Sequence, residues 1–246
     1  MNKYLIGLAV LMAIGGGAFI ATSMSKEEEV TKPLFKHVDI ENDTMSIHLD
    51  IGHTPSKVGA VSSSCKGEYF YNMEAVQAIH YVVNNVKHIN YGGVGELSFE
   101  DREKLSISND LFISIHHDSM NEVYLHKNEN GCLEGNFSKG FSLYVSDRNT
   151  HYKESLEYAK QIGEYMLSKG IPVNMTHSYP PPKGEDRQVI DERLGIYNYP
   201  NLRVVKNAKV PALLIEVGVI TNPTELGELD FRYKSIGEAL THLEQI

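Results

Sequence analysis

A chain of 246 residues with 41% hydrophobic and 22% charged side chains is of a size for one domain, or one domain with a short extension, and can bury a core. Its formal net charge is −9 and no cluster of Lys and Arg breaks the acidic balance. That argues against nucleic acid as a partner, because phosphate binding needs concentrated positive charge.

The chain opens with Lys3, an apolar stretch from Tyr4 to Thr22 and small residues at Ala21-Thr22-Ser23, the pattern of an export signal. At about 19 residues the stretch is also long enough to span a bilayer, so a cleaved signal, a retained anchor and a membrane segment that later releases its cargo all fit. Gly15-Gly16-Gly17 speaks against a buried core helix. Residues 1–23 are therefore expected to engage the membrane at least during export. They would place the rest of the chain in the periplasm or outside the cell. Residues 24–44, polar and without periodicity, read as a linker into a domain spanning 45–246.

That domain begins with SIHLDIGH, where Ile47, Leu49 and Ile51 alternate with polar residues as a strand does. Asn72 to Val86 sets Met73, Val76, Ile79, Val82 and Val83 at helical spacing. Strands follow at 111–116 and 140–147, then a helix in ESLEYAKQIGEYMLSKG closed by Gly170. ALLIEVG, 212–218, is a continuous apolar run suited to a strand covered on both sides, and Ser235 to Gln245 reads as a final helix. Alternating strands and helices predict a single α/β domain with a mostly parallel twisted sheet flanked by helices. Residues 176–202, rich in Pro and charge, form too long a connection to be a simple turn and are expected to shape a site. Cys65 and Cys132 fit one disulfide in an oxidising compartment; zinc through them is disfavoured by the absence of a paired C-x-x-C spacing.

Ligands of open α/β sheets collect at the carboxyl ends of strands. Three predicted strands place His53, His116 and Glu216 at or near such ends, and Glu68 stands at the mouth of the first helix. An acid there can simply complement the helix dipole. As a ligand it would complete a set of two imidazoles and one carboxylate, the arrangement used when zinc keeps a position open for water, and Glu216 would stay free to act on that water. In DLFISIHHDSM, neighbouring strand residues point to opposite faces, so His116 and His117 cannot both serve one site without a bend.

At these residues the chain resembles the zinc-dependent N-acetylmuramoyl-L-alanine amidases of the amidase 3 group. The resemblance rests on DIGH at 50–53, GEYFYNM at 67–73, DLFISIHHDS at 110–119, GFSLYVS at 140–146 and VPALLIEVGVITNPTE at 210–225. These occur in the family's order and cover nearly all the chain after residue 45. The resemblance implies one Zn²⁺ bound by His53, Glu68 and His116, with Glu216 as the catalytic acid and base. The implied substrate is peptidoglycan, cut at the amide between N-acetylmuramic acid and the L-alanine of the stem peptide. It also assigns the ligand role to His116, leaving His117 as a packing or hydrogen-bonding neighbour and Asp118 returning toward the substrate. Asp50 is read as either orienting His53 from behind or capping the turn.

Departures from the family pattern stand beside these implications. Thr54-Pro55 replaces the frequent second and third glycines of GHGG, and Lys206 stands where an arginine is frequent. Residues 91–109 match poorly, so no substrate role is carried to Arg102. Gly184 to Arg187 and Asp191 look like a variant of some members, without an assigned role. A zinc deacetylase and a non-catalytic peptidoglycan-binding module are the rival readings. A wall-remodelling enzyme of the host and a phage lysis enzyme both fit the sequence, as does a site blocked by residues 91–109 or 176–202 until a partner protein binds.

Overall fold

The computed structural model describes residues 45–84, 86–176 and 187–246. The export segment, the linker and Gly184 to Asp186 lie outside the described residues. In chain order the elements are β1 (Ser46–Ile51), α1 (Glu68–Val83), β2 (His88–Gly92), α2 (Phe99–Ser106), β3 (Leu111–Asp118), β4 (His126–Lys127) and β5 (Leu133–Glu134). They continue with β6 (Ser142–Val145), α3 (Tyr152–Ser168), β7 (Gln188–Asp191), β8 (Ile196–Asn198), α4 (Arg203–Lys206), β9 (Ala212–Val219), α5 (Pro223–Leu226) and α6 (Leu229–Thr241). Among the described residues no helix is long and apolar enough to cross a membrane.

Seven strands form one sheet in the order β2-β1-β3-β9-β6-β8-β7, with β4 and β5 pairing separately as a hairpin. The expected parallel pairing holds for β1 with β2 and β3, for β3 with β9 and for β6 with β8. β6–β9 and β7–β8 are antiparallel, so the sheet is mostly parallel, as expected. A parallel partner needs a crossover that returns the chain to the starting edge, usually through a helix. The connection from β3 to β6 builds only the small hairpin and one short 3-10 turn, so β6 starts where β3 ends and runs back.

The two faces of the sheet differ chemically. One carries Ile47, Leu49, Ile51, Ile113, Ile215 and Leu143 into a core closed by α1, α3 and α6. The other packs Phe112, Tyr144, Tyr197 and Leu214 against Val205 of α4. On that second face β1 places His48 and Asp50, 3% and 0% exposed, so its polar alternation does not mark a wet surface.

Two helix starts fall earlier than periodicity of aliphatic residues suggests. α1 begins at Glu68, with Tyr69 and Tyr71 turned inward ahead of Ala75 and Val76. α6 begins at Leu229 because its inner face includes Arg232, buried and ion-paired with Glu225 and Glu228. β2, α2, β4, β5, β7, β8, α4 and α5 were not expected, and β7 and β8 fall inside the 176–202 stretch read as a long connection. β2 buries Ile89 alone, and the buried residues of α2 are Arg102 and Ser106, so neither shows an apolar stripe.

Candidate active site

The site gathers at the carboxyl ends of β1, β3 and β9 and at the first turn of α1. β1 delivers the chain into a bend at Gly52-His53, where His53 adopts a positive φ of 66°, uncommon for a residue with a Cβ. Close approach makes glycine necessary at two points. A Cβ on Gly52 would lie 2.3 Å from Nε2 of His116, and one on Gly59, itself at φ +76°, would lie 2.3 Å from Oε2 of Glu68.

Glu68 sits between the two imidazoles: its Oε2 is 2.9 Å from His53 Nε2 and its Oε1 is 3.0 Å from His116 Nδ1. The carboxylate also accepts from the backbone N–H groups of Ala60 at 3.0 Å and His117 at 3.1 Å. Burial opposes charge on Glu68, yet the hydrogen bonds from His116 and His53 outweigh it and hold the carboxyl well below the usual carboxylate range. One ligand atom from each of His53, Glu68 and His116 lies within 4.8 Å of the others. Two imidazoles and a carboxylate, gathered on the wall of a cleft, are a donor set that suits a divalent metal with an open position. The three residues singled out by sequence are therefore brought together.

Glu216 reaches the same place by register, since β3 and β9 pair His116 with Glu216. Its Oε2 is buried with no hydrogen-bond partner among the described residues. Burial first, then the nearby charges of Asp118 and Glu68, push its carboxyl well above the ordinary range, with Arg187 opposing. A carboxyl so placed holds a proton readily and has a free oxygen with which to pass it on.

Two adjoining cavities flank this centre. The larger, about 520 Å³, runs from His53 and His116 between α2 and α4, past Phe99, Arg102 and Arg203. The smaller, about 210 Å³, is lined by Asp118, Tyr144, Arg187, Tyr199 and Glu216. Leu202 and Leu214 border both.

His117 behaves as expected of a neighbour. It is 1% exposed, with Nδ1 2.7 Å from Asn72 Oδ1 and Nε2 3.1 Å from the Tyr233 hydroxyl. Asp118 follows a register shift in β3, accepts from Asn174 Nδ2 at 2.9 Å and faces the smaller cavity. Asp50 meets neither reading directly. Its carboxylate accepts from Arg102 and from Ser114 Oγ, and it makes no hydrogen bond to the His53 side chain among the described residues. Lys206 ends α4, and it is Arg203, one turn earlier, that lines the cleft. Of the 184–187 segment, Arg187 reaches the smaller cavity, with Nη1 3.3 Å from the Tyr144 hydroxyl, whereas Asp191 accepts from the Leu194 backbone at 3.0 Å and shapes a turn.

Arg102, to which the sequence carried no substrate role, lines the cleft and pairs with Asp50. A signal for its helix existed: Ser98 and Asp101 form a capping box, which marks the start of a helix and puts Arg102 in its first turn.

Residues 47–241 match the family model described as N-acetylmuramoyl-L-alanine amidase. Among solved structures, the chain is similar to an N-acetylmuramoyl-L-alanine amidase from Clostridium difficile 630, with 21% identity, TM-score 0.59, and 80% of this chain and 93% of that one covered. It is also similar to the catalytic domain of the amidase CwlV from Bacillus (Paenibacillus) polymyxa var. colistinus, at 19% identity and TM-score 0.57, covering 80% and 94%. The amidase Ami1 from Mycobacterium smegmatis gives 15% identity and TM-score 0.59, covering 80% and 93%. No curated protein sequence matches the chain.

Proposed function

This chain belongs to the N-acetylmuramoyl-L-alanine amidase family over residues 47–241, and from that premise we propose that His53, Glu68 and His116 hold one Zn²⁺ and that Glu216 is the catalytic residue. The chain is a hydrolase of peptidoglycan, cleaving the amide that joins N-acetylmuramic acid to the L-alanine of the stem peptide. That sets aside deacetylation and a purely wall-binding role.

The observation that carries the metal assignment is the convergence of two imidazoles and one buried carboxylate beside Glu216, in a cleft open to a large substrate. Bound there, zinc would polarise the scissile carbonyl and lower the pKa of water toward about 7. The protein's own groups do the rest. Glu68, which also accepts from the backbone N–H groups of Ala60 and His117, would supply negative charge to the metal. Glu216, ionised once the charge of a divalent metal offsets its burial, would take a proton from the attacking water and deliver it to the departing amine of L-alanine, so that the stem peptide leaves on its side of the centre. The cleft between α2 and α4 is then left for the muramic acid side of the substrate. Export through residues 1–23, as signal or anchor, would bring the domain to its substrate; Lys3 and the apolar run after it support that reading.

The test is metal content with product analysis on the purified full-length protein. About one zinc per chain is expected, with release of peptides bearing a free L-alanine amine and an intact glycan. His116→Ala should lose both metal and activity. Glu216→Gln should keep the metal and lose activity by about 10²–10⁴-fold. Full activity in the metal-free protein would overturn the mechanism.

A further inference from the structure

The bend that carries His53 exposes three successive carbonyls, those of Ile51, Gly52 and His53, and side chains from two helices take all three. Asn72 of α1 donates to Gly52 O at 3.1 Å. Arg102 of α2 takes the other two, donating from Nη1 to Ile51 O at 2.7 Å and from Nη2 to His53 O at 2.5 Å. The same guanidinium pairs with Asp50, whose other oxygen accepts from Ser114 Oγ at 2.7 Å. Arg102 is 5% exposed and Asp50 is fully buried, so the fork is held in one orientation away from water.

We infer that Arg102 is a positioning residue for the metal ligand His53: through its bonds on either side of Gly52, the docking of α2 sets the imidazole at which zinc binds. His53 sits at a positive φ of 66°, a conformation that persists in a residue with a Cβ only where its surroundings enforce it. Among the described residues, Arg102 is the side chain that bonds the backbone of residue 53 itself. A planar guanidinium can reach both carbonyls and Asp50 together, which a single ammonium cannot. The cleft wall thereby becomes part of the metal site, because α2 also carries Phe99, over whose ring the Arg203 guanidinium of α4 lies at 4.7 Å.

The inference rests on the reading of His53 as a zinc ligand, and its test separates the two. Zinc affinity of the full-length protein is measured by competition with a chromophoric chelator, alongside melting of the chelator-treated protein. Two variants are used. Arg102→Lys keeps a charge opposite Asp50 and so is built to fold, but loses the fork. Arg102→Met with Asp50→Asn removes both charges, so that no buried ion is stranded. Each is expected to bind zinc about 10–100-fold more weakly, the usual effect of removing a group that orients a ligand, while the metal-free melting point of at least the lysine variant stays near that of the parent. Zinc affinity within twofold of the parent in either variant would overturn the inference, as would a raised KM with unchanged zinc affinity, which would assign Arg102 to the substrate. Failure of the parent protein itself to bind zinc would overturn the metal reading instead.

Discussion

Adjacent histidines at the end of β3 live in different chemistry because strand geometry turns one toward the cleft and the other into the core. His116 is part of the Glu68 cluster, while His117 is enclosed by Asn72, Tyr71 and Tyr233. Asn72 spends its amide on Gly52 O, so its oxygen faces His117 and the ring proton belongs on Nδ1, leaving Nε2 to accept from the Tyr233 hydroxyl. Burial pushes His117 down to about 3, against the opposing pull of the Glu68 charge. An unfolded histidine takes a proton near 6.5, whereas this one resists protonation until about 3, so between those values the unfolded state binds more protons. Stability contributed by the neutral ring is complete above about pH 6.5 and falls as the pH drops through that window, by up to about 1.4 kcal/mol per pH unit. Urea midpoints of the chelator-treated protein at pH 7 and pH 5 should therefore separate less in His117→Gln than in the parent. Equal separations would show that the ring is protonated without penalty. Sequence alternation divides the two histidines between faces, but which nitrogen carries the proton follows from an asparagine 45 residues away.

At the scale of elements, the site is held from outside by a covalent tie. Cys65, three residues before Glu68, is bonded to Cys132 in the β4–β5 hairpin, with the Cα atoms 5.5 Å apart. Asn128 of the same hairpin donates to Ser63 O at 2.7 Å, so the segment entering α1 is fixed both by a disulfide and by a hydrogen bond. The bridge spans a sequence separation of 67 residues, for which loop-closure entropy suggests a contribution of about 4 kcal/mol. The Cys65→Ser, Cys132→Ser double variant, or the reduced parent, should unfold at clearly lower urea concentration than the oxidised parent. Coincident unfolding curves would mean that the hairpin is held by its other contacts alone. Strands and helices with aliphatic faces were readable along the chain. The short helix α2 beside the site was not, since it docks by an arginine and a serine where periodicity looks for leucine and valine.

The whole molecule divides its labour between the two faces of one sheet. α1, α3 and α6 seal the apolar face, and the opposite face grades from Phe112 and Leu214 to the polar ends where His116 and Glu216 meet. Antiparallel β6 sets Ser142 beside Glu216. A disulfide belongs to an oxidising compartment, and its presence supports the proposed export of the domain. Mass spectrometry of the mature N-terminus in the producing cell tests that proposal. A start near residue 24 indicates a cleaved signal, a membrane-associated intact chain indicates an anchor, and an intact chain free in the cytoplasm would refute export.

What the sequence determined by itself was local: the residues at the ends of β1, β3 and β9, the carboxylate at the start of α1, and with them the family. Strand period, the position of a strand's end and short motifs are properties of neighbouring residues, so they can be read from one chain. Tertiary structure alone decided the direction of β6, the partner of Asp50 and the hydrogen-bond partners of His117. Each depends on groups that folding brings together from far along the chain; Arg102 meets Asp50 across 52 residues, and Tyr233 meets His117 across 116. A buried charge takes whatever partner the packed fold supplies, and residue type alone does not say which one that is.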